Sequence, residues 1–383
     1  MHTTSRWVLL QMEWISTTAE AVFRGQEFGD IPVAYDLLDI ISSPNGNRHE
    51  LRRTSADILH ASQPEVAVST DRQSGKPNHS LSLTRVDFEP SFKPKFHTTA
   101  TDFLRLFKSL NLPPFALYLI SRDIMAFQQL REFDGGATTQ KQPLAAYYLN
   151  YEALKIVWSY NPTTLSTKGI ILTRVTPGGR NAYQQFCDNL DSLSRGDMVY
   201  HPLFPMFVAL VATIQFIDDR ILAREQSISA TELRTPYSPW SLDVPRADDV
   251  NVISECSHKM AAAVVELEDT LRHMRLLKAM KLAFEGIGVT EYDISEDSQT
   301  LVESGGSAMR GTLGLLCNHL EAAETYAGYL RERAKIQLSM VSVAQANYHS
   351  LIDLENSSST LSPEVTPCPT SSLHAQQRQM GFQ

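Results

Sequence analysis

Residues 309–338 read MRGTLGLLCNHLEAAETYAGYLRERAKIQL, and this stretch decides the fold of the second half of the chain. Its apolar residues recur in steps of four and three, which is the spacing of one face of a helix. The pattern continues, with one register slip, to Leu351. A helix of about 44 residues measures ~66 Å, and a heptad pattern of that length predicts a partner helix in the same chain or in another. The predicted seam is formed by Met309, Leu313, Leu316, Leu320, Leu330 and Leu338.

A second amphipathic helix is predicted just before this one, over residues 257–284. Its apolar face consists of Met260, Val264, Leu267, Leu271, Met274, Leu277 and Phe284. Gly286 and Gly288 follow, and glycines are common just after the end of a helix. The second half of the chain is therefore predicted to be a pair of long antiparallel amphipathic helices, like the stalk of a coiled coil.

The first half alternates strand and helix signals. A strand is predicted at residues 80–88, a helix at 102–110 with Thr101 as its N-cap, and strands around 147–160 and 168–173, joined by the Asn161–Thr164 turn. Ile156, Trp158 and Tyr160 share one parity, which is typical of a half-buried strand. These signals predict an α/β (α+β) N-terminal domain over roughly residues 20–215.

The composition of the segments suggests five regions. We expect an N-terminal region with a flexible loop at 1–80, the α/β domain at 81–225, and a linker at 226–255 that contains Pro236, Pro239 and Pro245. The long-helix region follows at 256–355. Residues 356–383 are rich in Ser, Thr, Pro and Gln, and are predicted to be a disordered tail.

The overall charge and the cysteines exclude some classes of protein. The net charge is −9 and the pI is about 5.7, so binding to the phosphate backbone of a nucleic acid is not expected. The four cysteines are far apart and lie in no metal-binding spacing, which indicates reduced structural thiols.

No segment is predicted to cross a membrane. The longest apolar stretch, residues 203–214, has about 12 residues, whereas a spanning helix needs about 20, so it predicts a buried core helix. The N-terminus lacks the apolar run of a secretory signal. We therefore expect a cytoplasmic protein.

Few residues suggest chemistry, and no catalytic residue is proposed. The motifs of dinucleotide-binding, phosphate-binding, zinc-protease and serine-hydrolase sites do not occur. An acidic turn at 291–297 offers Asp293, Glu296 and Asp297 as candidate ligands of a divalent cation such as Mg²⁺, because hard cations prefer carboxylate oxygens. The turn lacks the EF-hand spacing, and the alternative is a solvated loop. Asp218 and Asp219 are interpreted as a solvated helix end, and His258 and His273 as surface residues.

The segment YLRERAKIQL at 329–338, followed by Gln345, resembles the stalk helix of the fungal branch of the CorA-like magnesium transporter family. The segments NLPPF at 111–115, NPT at 161–163, KGIIL at 168–172 and HPL at 201–203 are also similar and occur in the same order. The resemblance implies a cytoplasmic α/β domain, long helices leading to the membrane, two membrane helices and a pentamer. The family's Gly-Met-Asn pore motif does not occur, so the resemblance implies the cytosolic body without its pore.

Three functions remain open from the sequence. The first is a non-enzymatic CorA-like soluble protein, a regulatory or assembly module related to magnesium transport and not itself a channel. Its partners would be copies of itself, joined through the long helices, or a membrane-bound family member. The second is a truncated form of a CorA-like magnesium transporter that lacks its membrane helices, and it would belong to the membrane. The third is an enzyme with an unrecognised site.

Overall fold

A computed structural model of the chain describes residues 18–30, 35–42, 49–56, 80–91, 93–130, 145–151, 154–194, 196–234, 250–286 and 296–359. A mixed β-sheet with helices on both faces comes first, and long helices that pack together follow it. The predicted fold class, an α/β domain followed by long antiparallel helices, is confirmed.

In the described ranges, nine strands form one sheet in the order β1-β5-β4-β9-β8-β7-β6, with β2 between β3 and part of β4. The central strand β4 runs parallel to β9 and antiparallel to β2 and β5. The strands β6 to β9 form an antiparallel meander. The bounds are β1 Glu27–Phe28, β2 Tyr35–Ser42, β3 His49–Ala56, β4 Ser80–Glu89, β5 Lys95–Phe96, β6 Phe127–Leu130, β7 Ala145–Tyr151, β8 Leu154–Asn161 and β9 Ser166–Arg174.

The helices alternate with the strands at first and then dominate. Their bounds are α1 at 18–24, α2 Ala100–Ser109, α3 Phe115–Arg122, α4 Pro177–Leu193, α5 Phe204–Arg234, α6 Val250–Gly286 and α7 Glu296–Ser359, with a short 3-10 helix at Asp197–Tyr200. The N-cap of α2 is Thr99 and not Thr101. The Thr99 hydroxyl accepts a bond from the Asp102 amide at 3.1 Å and donates one to the Asp102 carboxylate at 2.6 Å. This reciprocal cap fixes the start of the helix two residues earlier than predicted.

The sheet is covered on both faces, which corrects one expectation. Side chains of one parity, such as Tyr147 and Trp158, pack towards α4, α5 and the long helices. Those of the other parity, such as Tyr148 and Val157, pack towards α2 and α3. The strand around Trp158 is therefore buried on both faces and not half-buried, which is why its apolar residues form a nearly continuous run.

The long helices α5, α6 and α7 pack side by side, with α6 antiparallel to both others. Arg220 and Arg234 of α5 pair with Asp269 and Glu255 of α6, so the numbers rise on one helix as they fall on the other. On α7, Glu324 pairs with Lys278 of α6. The helix predicted at residues 203–214 is confirmed as buried, since it forms the first turns of α5. No helix of the described residues has an apolar stretch of membrane-spanning length and hydropathy.

The ends of three helices differ from the predicted ones. Helix α5 runs to Arg234, so residues 226–234 are not linker; Ile228 and Thr231 are buried there, which holds the helix in place. Helix α6 begins at Val250, before the predicted start at 257. Helix α7 extends from Glu296 to Ser359, so it includes residues expected in an acidic turn and in the tail. Residues 235–249 and 360–383, which include the rest of the predicted linker and tail, lie outside the described residues.

Candidate functional site

Two of the three acidic residues proposed as cation ligands lie in a helix. Glu296 and Asp297 occupy the first turn of α7 and are exposed. Carboxylates at that position interact favourably with the N-terminal end of the helix dipole, which accounts for them without a metal. Asp293 lies outside the described residues. In the part of the chain that the structure describes, no group of three or more His, Cys, Asp or Glu side chains could hold a metal ion.

The predicted seam of α7 faces the body of the same chain. Met309, Leu313, Leu320 and Leu330 are buried in the main core. Leu316 and Leu338 are partly buried and pack against that core. The seam is therefore satisfied by intramolecular contacts, and a partner chain would have to use another face of the helix.

Helices α5 and α7 run parallel and are held in register by a polar ladder. His319 Nε2 lies 2.9 Å from both carboxylate oxygens of Asp218. Two turns further along both helices, Tyr326 forms a hydrogen bond with Glu225. This bond, and to a smaller extent burial, raises the pKa of Tyr326 to about 12. The acidic residues recur every seven residues on α5, and their partners recur every seven on α7, so the ladder fixes the relative positions of the two helices.

The last step of this ladder is the most buried. Arg333 Nε donates to Glu232 Oε1 at 2.7 Å, and Arg333 Nη2 donates to Ser229 at 3.3 Å. The Glu232 side chain is only 6% exposed. The bond to Glu232 raises the pKa of the Arg333 guanidinium above its usual value. Two interpretations from the sequence are corrected here. Asp218 lies within α5 and bonds to another helix, and His273 of α6, unlike exposed His258, is buried.

We expect Arg333→Met to lower the free energy of unfolding by about 2 kcal/mol, because it leaves a buried carboxylate without its charged partner. Urea unfolding measures the change. The double variant Glu232→Gln, Arg333→Met should lose less than the sum of the two single variants. Arg331→Met is the matched control, since Arg331 pairs with an exposed Glu332, and its loss should stay below about 1 kcal/mol. Equal losses in the two arginine variants would contradict the structural role of the ladder.

A second apolar stripe on α7 is exposed, and it was not predicted from the sequence. Its members recur every seven residues: Leu315, Ala322, Tyr329, Ile336 and Val343. The four large residues are 71%, 58%, 56% and 53% exposed, in chain order. Each of Leu315 and Tyr329 immediately precedes a member of the predicted seam, so the pattern was present within residues 309–338. We call this stripe the outer stripe.

In the N-terminal domain, a buried lysine of β8 joins the sheet to the end of α3. The Lys155 side chain is 1% exposed, and its Nζ lies 2.7 Å from Asp123 Oδ1 and 4.7 Å from the centre of the Phe88 ring. Burial lowers the pKa of Lys155, although the charge of Asp123 opposes this shift. Asp123 adopts a left-handed conformation, with φ 51°, at the C-cap of α3. It also accepts a bond from Asn150 at 3.0 Å.

The carboxylate of Asp123 is the counterion of this cluster. Burial would raise the pKa of Asp123, but the charge of Lys155 and the bonds from Lys155 and Asn150 outweigh it, so the pKa is lowered. Arg174 approaches the other carboxylate oxygen at 3.5 Å. The lysine is too enclosed to meet a substrate, so the arrangement is a structural ion pair that ties β8 and β9 to the end of α3.

Comparisons with known proteins give a partial likeness of fold. No family model matches the sequence, and no curated protein matches it. The solved structure of the full-length CmaX protein matches with a TM-score of 0.43 and 13% identity, over 87% of this chain and 83% of that one. A likeness of this degree says nothing about activity.

Proposed function

We propose that this chain is a non-enzymatic assembly module that binds a second copy of itself through the outer stripe of α7. The observation that carries the proposal is the seven-residue recurrence of exposed apolar side chains on a helix whose other apolar face is already buried. Such a stripe supplies one of the two apolar positions of each heptad through which helices pack in a coiled coil. The outer stripe runs from Leu315 to Val343, which is about 42 Å of helix.

Burial of the exposed stripe in an interface would be energetically favourable. Complete burial of a side chain such as leucine or isoleucine gains about 1.5–3 kcal/mol. Since each large member is half exposed or more, several such gains are available along one helix. The cost of bringing two chains together offsets much of this sum. A weak, reversible association is therefore expected.

Other exposed apolar residues are less regular. Val265 and Leu282 of α6 are 65% and 67% exposed, and Leu222 and Leu233 of α5 are 53% and 60% exposed. Neither pair repeats at a heptad spacing, and scattered exposed residues of this kind are normal on protein surfaces. Val265 and Leu282 therefore serve as controls for the outer stripe.

The resemblance of the sequence to CorA-like magnesium transporters supports a second class of partner. A membrane-bound member of that family would offer a long helix of similar heptad pattern to the same stripe. We propose a second copy as the main partner of the outer stripe, because an identical helix matches its repeat in length and spacing.

We expect Ile336→Lys to weaken self-association at least tenfold, because a charged side chain would have to be desolvated in the interface. Sedimentation velocity over a range of protein concentrations measures the association. Val265→Lys is the matched control on α6 and should leave the association unchanged. Both variants should keep the unfolding transition of the parent chain, since the replaced side chains are more than half exposed. A parent chain that stays monomeric at every concentration would contradict the proposal.

A further inference from the structure

We infer that His201 is an acid-sensitive latch between the sheet domain and the long helices. While its ring is uncharged, it holds the end of α6 and the beginning of α7 against the segment that precedes α5, and protonation of the ring releases them. The latch would act within one chain, so it does not depend on self-association through the outer stripe.

The residues on both sides of His201 are bonded to the sheet. The Tyr160 hydroxyl donates to the Tyr200 carbonyl at 3.0 Å, and Trp158 Nε1 donates to the Pro202 carbonyl at 2.9 Å. Both donors belong to β8 and are fully buried. His201 is therefore held to the sheet on either side along the chain.

The ring of His201 contacts both α6 and α7. It stacks on Phe284 of α6, with the ring centres 5.4 Å apart and the planes inclined by 27°. A Cβ added to Gly306 of α7 would lie 3.1 Å from Cδ2 and 3.3 Å from Nε2 of the ring. His201 is only 2% exposed. The ring therefore joins the sheet-bound segment to both long helices.

The hydrogen bonding of the ring fits its neutral form. The Leu203 amide donates to His201 Nδ1 at 3.2 Å, so Nδ1 acts as the acceptor and the neutral ring carries its proton on Nε2. A second proton would have to bind Nδ1, where it would face the Leu203 amide proton. Protonation therefore breaks this bond and leaves a buried charge, which is costly.

The positive charges near the ring also oppose its protonation. Burial, and to a smaller extent the charge of Arg310 on α7, lowers the pKa of His201 to about 3. Lys281 on α6 is likewise a cation, so it would not stabilise the protonated ring. The carboxylate of Asp197, on the 3-10 helix, accepts a bond from the Ser304 hydroxyl of α7 at 2.8 Å.

The sign of the pH effect follows from the lowered pKa. In the released state the ring is solvated and its pKa returns towards the ordinary value of 6.5, so the released state binds more protons. The latch is complete above that value and weakens as the pH falls towards 3. Between pH 7 and pH 5, the population of the released state should rise about 25-fold.

Hydrogen exchange of the full chain, followed by mass spectrometry, measures this release. The chain is kept at a concentration where it is monomeric, and each rate is divided by the intrinsic rate at that pH. Protection of amides in residues 280–284 and 302–310 should fall about 25-fold from pH 7 to pH 5. Amides of β8 and β9 should remain at least tenfold better protected at pH 5. Equal protection of both sets would mean that the whole chain opens together, which would overturn the latch.

A substitution identifies the group responsible. Asparagine at position 201 offers an acceptor oxygen near the place of Nδ1 and cannot take up a proton. In His201→Asn the pH-dependent loss of protection in residues 280–284 and 302–310 should therefore disappear. His258→Asn is the matched control, since His258 is exposed on α6, and it should lose protection as the parent does. An unchanged 25-fold loss in His201→Asn would overturn the latch.

Nuclear magnetic resonance of the parent chain gives a second measurement that needs no variant of His201 to fold. In a chain labelled with ¹⁵N-histidine, the His201 signals are those that lose the ring current of Phe284 in Phe284→Leu. The Nδ1 signal should stay that of an unprotonated acceptor, and Nε2 that of a protonated nitrogen, from pH 7 to pH 5. Protonation of His201 in the folded chain at pH 5 would overturn the latch.

Discussion

Replacing Gly305 with alanine is expected to lower the free energy of unfolding by about 3 kcal/mol, although alanine is the better helix former. Gly305 lies within α7, where the helix crosses the 3-10 helix at Asp197–Tyr200. An added Cβ would lie 2.9 Å from the Asp197 carbonyl carbon and 3.0 Å from Met198 Cα, and closer still to the Asp197 oxygen. These are backbone atoms, so relief requires one element to move away from the other. Urea unfolding of the variant measures the loss.

Gly311→Ala is the control, because it is the same substitution two turns along the same helix. An added Cβ there would meet nothing within 4 Å. The expected result is a gain of about 0.5–1 kcal/mol from helix propensity. The comparison should be made at a concentration where the chain is monomeric. If Gly305→Ala also stabilised the protein, the close packing of α7 on the 3-10 helix would be wrong.

Asp123→Asn is expected to lower the free energy of unfolding by about 2–3 kcal/mol near neutral pH. Asparagine keeps the shape of the side chain and tolerates the left-handed backbone at this position, so the variant isolates the charge. The enclosed ammonium of Lys155 then has lost its nearest counterion, and breaking a buried ion pair in this way is costly. The expected loss is smaller than that for a fully buried ion pair because the Asp123 side chain is 44% exposed.

The loss of stability in Asp123→Asn relative to the parent chain, which we call the deficit, depends on pH with a defined sign. Burial lowers the pKa of Lys155 below its ordinary value of 10.5, so the unfolded chain binds more protons in the alkaline range and stability rises with pH there. Without the Asp123 charge, that rise begins at lower pH. The deficit of the variant should therefore narrow as the pH increases from about 7 towards about 9.5.

At acid pH, the deficit of Asp123→Asn is expected to narrow as the pH falls. The pKa of Asp123 is lowered in the folded chain, so its contribution is present above the ordinary value of 3.8 and is lost as the pH falls through the lowered value. Parent and variant should converge there. Asp219→Asn, on the surface of α5, is the control and should follow the parent within about 0.5 kcal/mol. A deficit that does not change with pH would exclude the ion pair as its cause.

The regular elements could be predicted because their patterns are local. The steps of four and three in the quoted stretch identified α7, and the turn at Asn161–Thr164 identified the β8–β9 hairpin. The helix ends were harder to predict, since Gly305 and Gly306 interrupt the apolar pattern ahead of Met309. They remain helical because close packing against residues 197–201 requires the absence of a side chain.

The candidate site was only partly predictable, for a related reason. A helix with two apolar stripes, one buried and one exposed, presents a single mixed pattern in sequence, and the buried seam accounted for the stronger period. Which stripe faces the core depends on the polar ladder between α5 and α7, whose partners are separated by 101 residues. The Lys155–Asp123 pair, 32 residues apart, is likewise a tertiary contact that no local pattern signals.

The most direct test of the proposed assembly asks which side chains become protected as the chain associates. Hydroxyl-radical footprinting with mass spectrometry, from low to high protein concentration, reports the accessibility of individual residues. The proposal predicts that oxidation of Tyr329 and Ile336 falls as concentration rises, while Val265 and Leu282 on α6 stay equally reactive. Protection of the α6 residues with Tyr329 and Ile336 unchanged would contradict the assignment of the outer stripe as the interface.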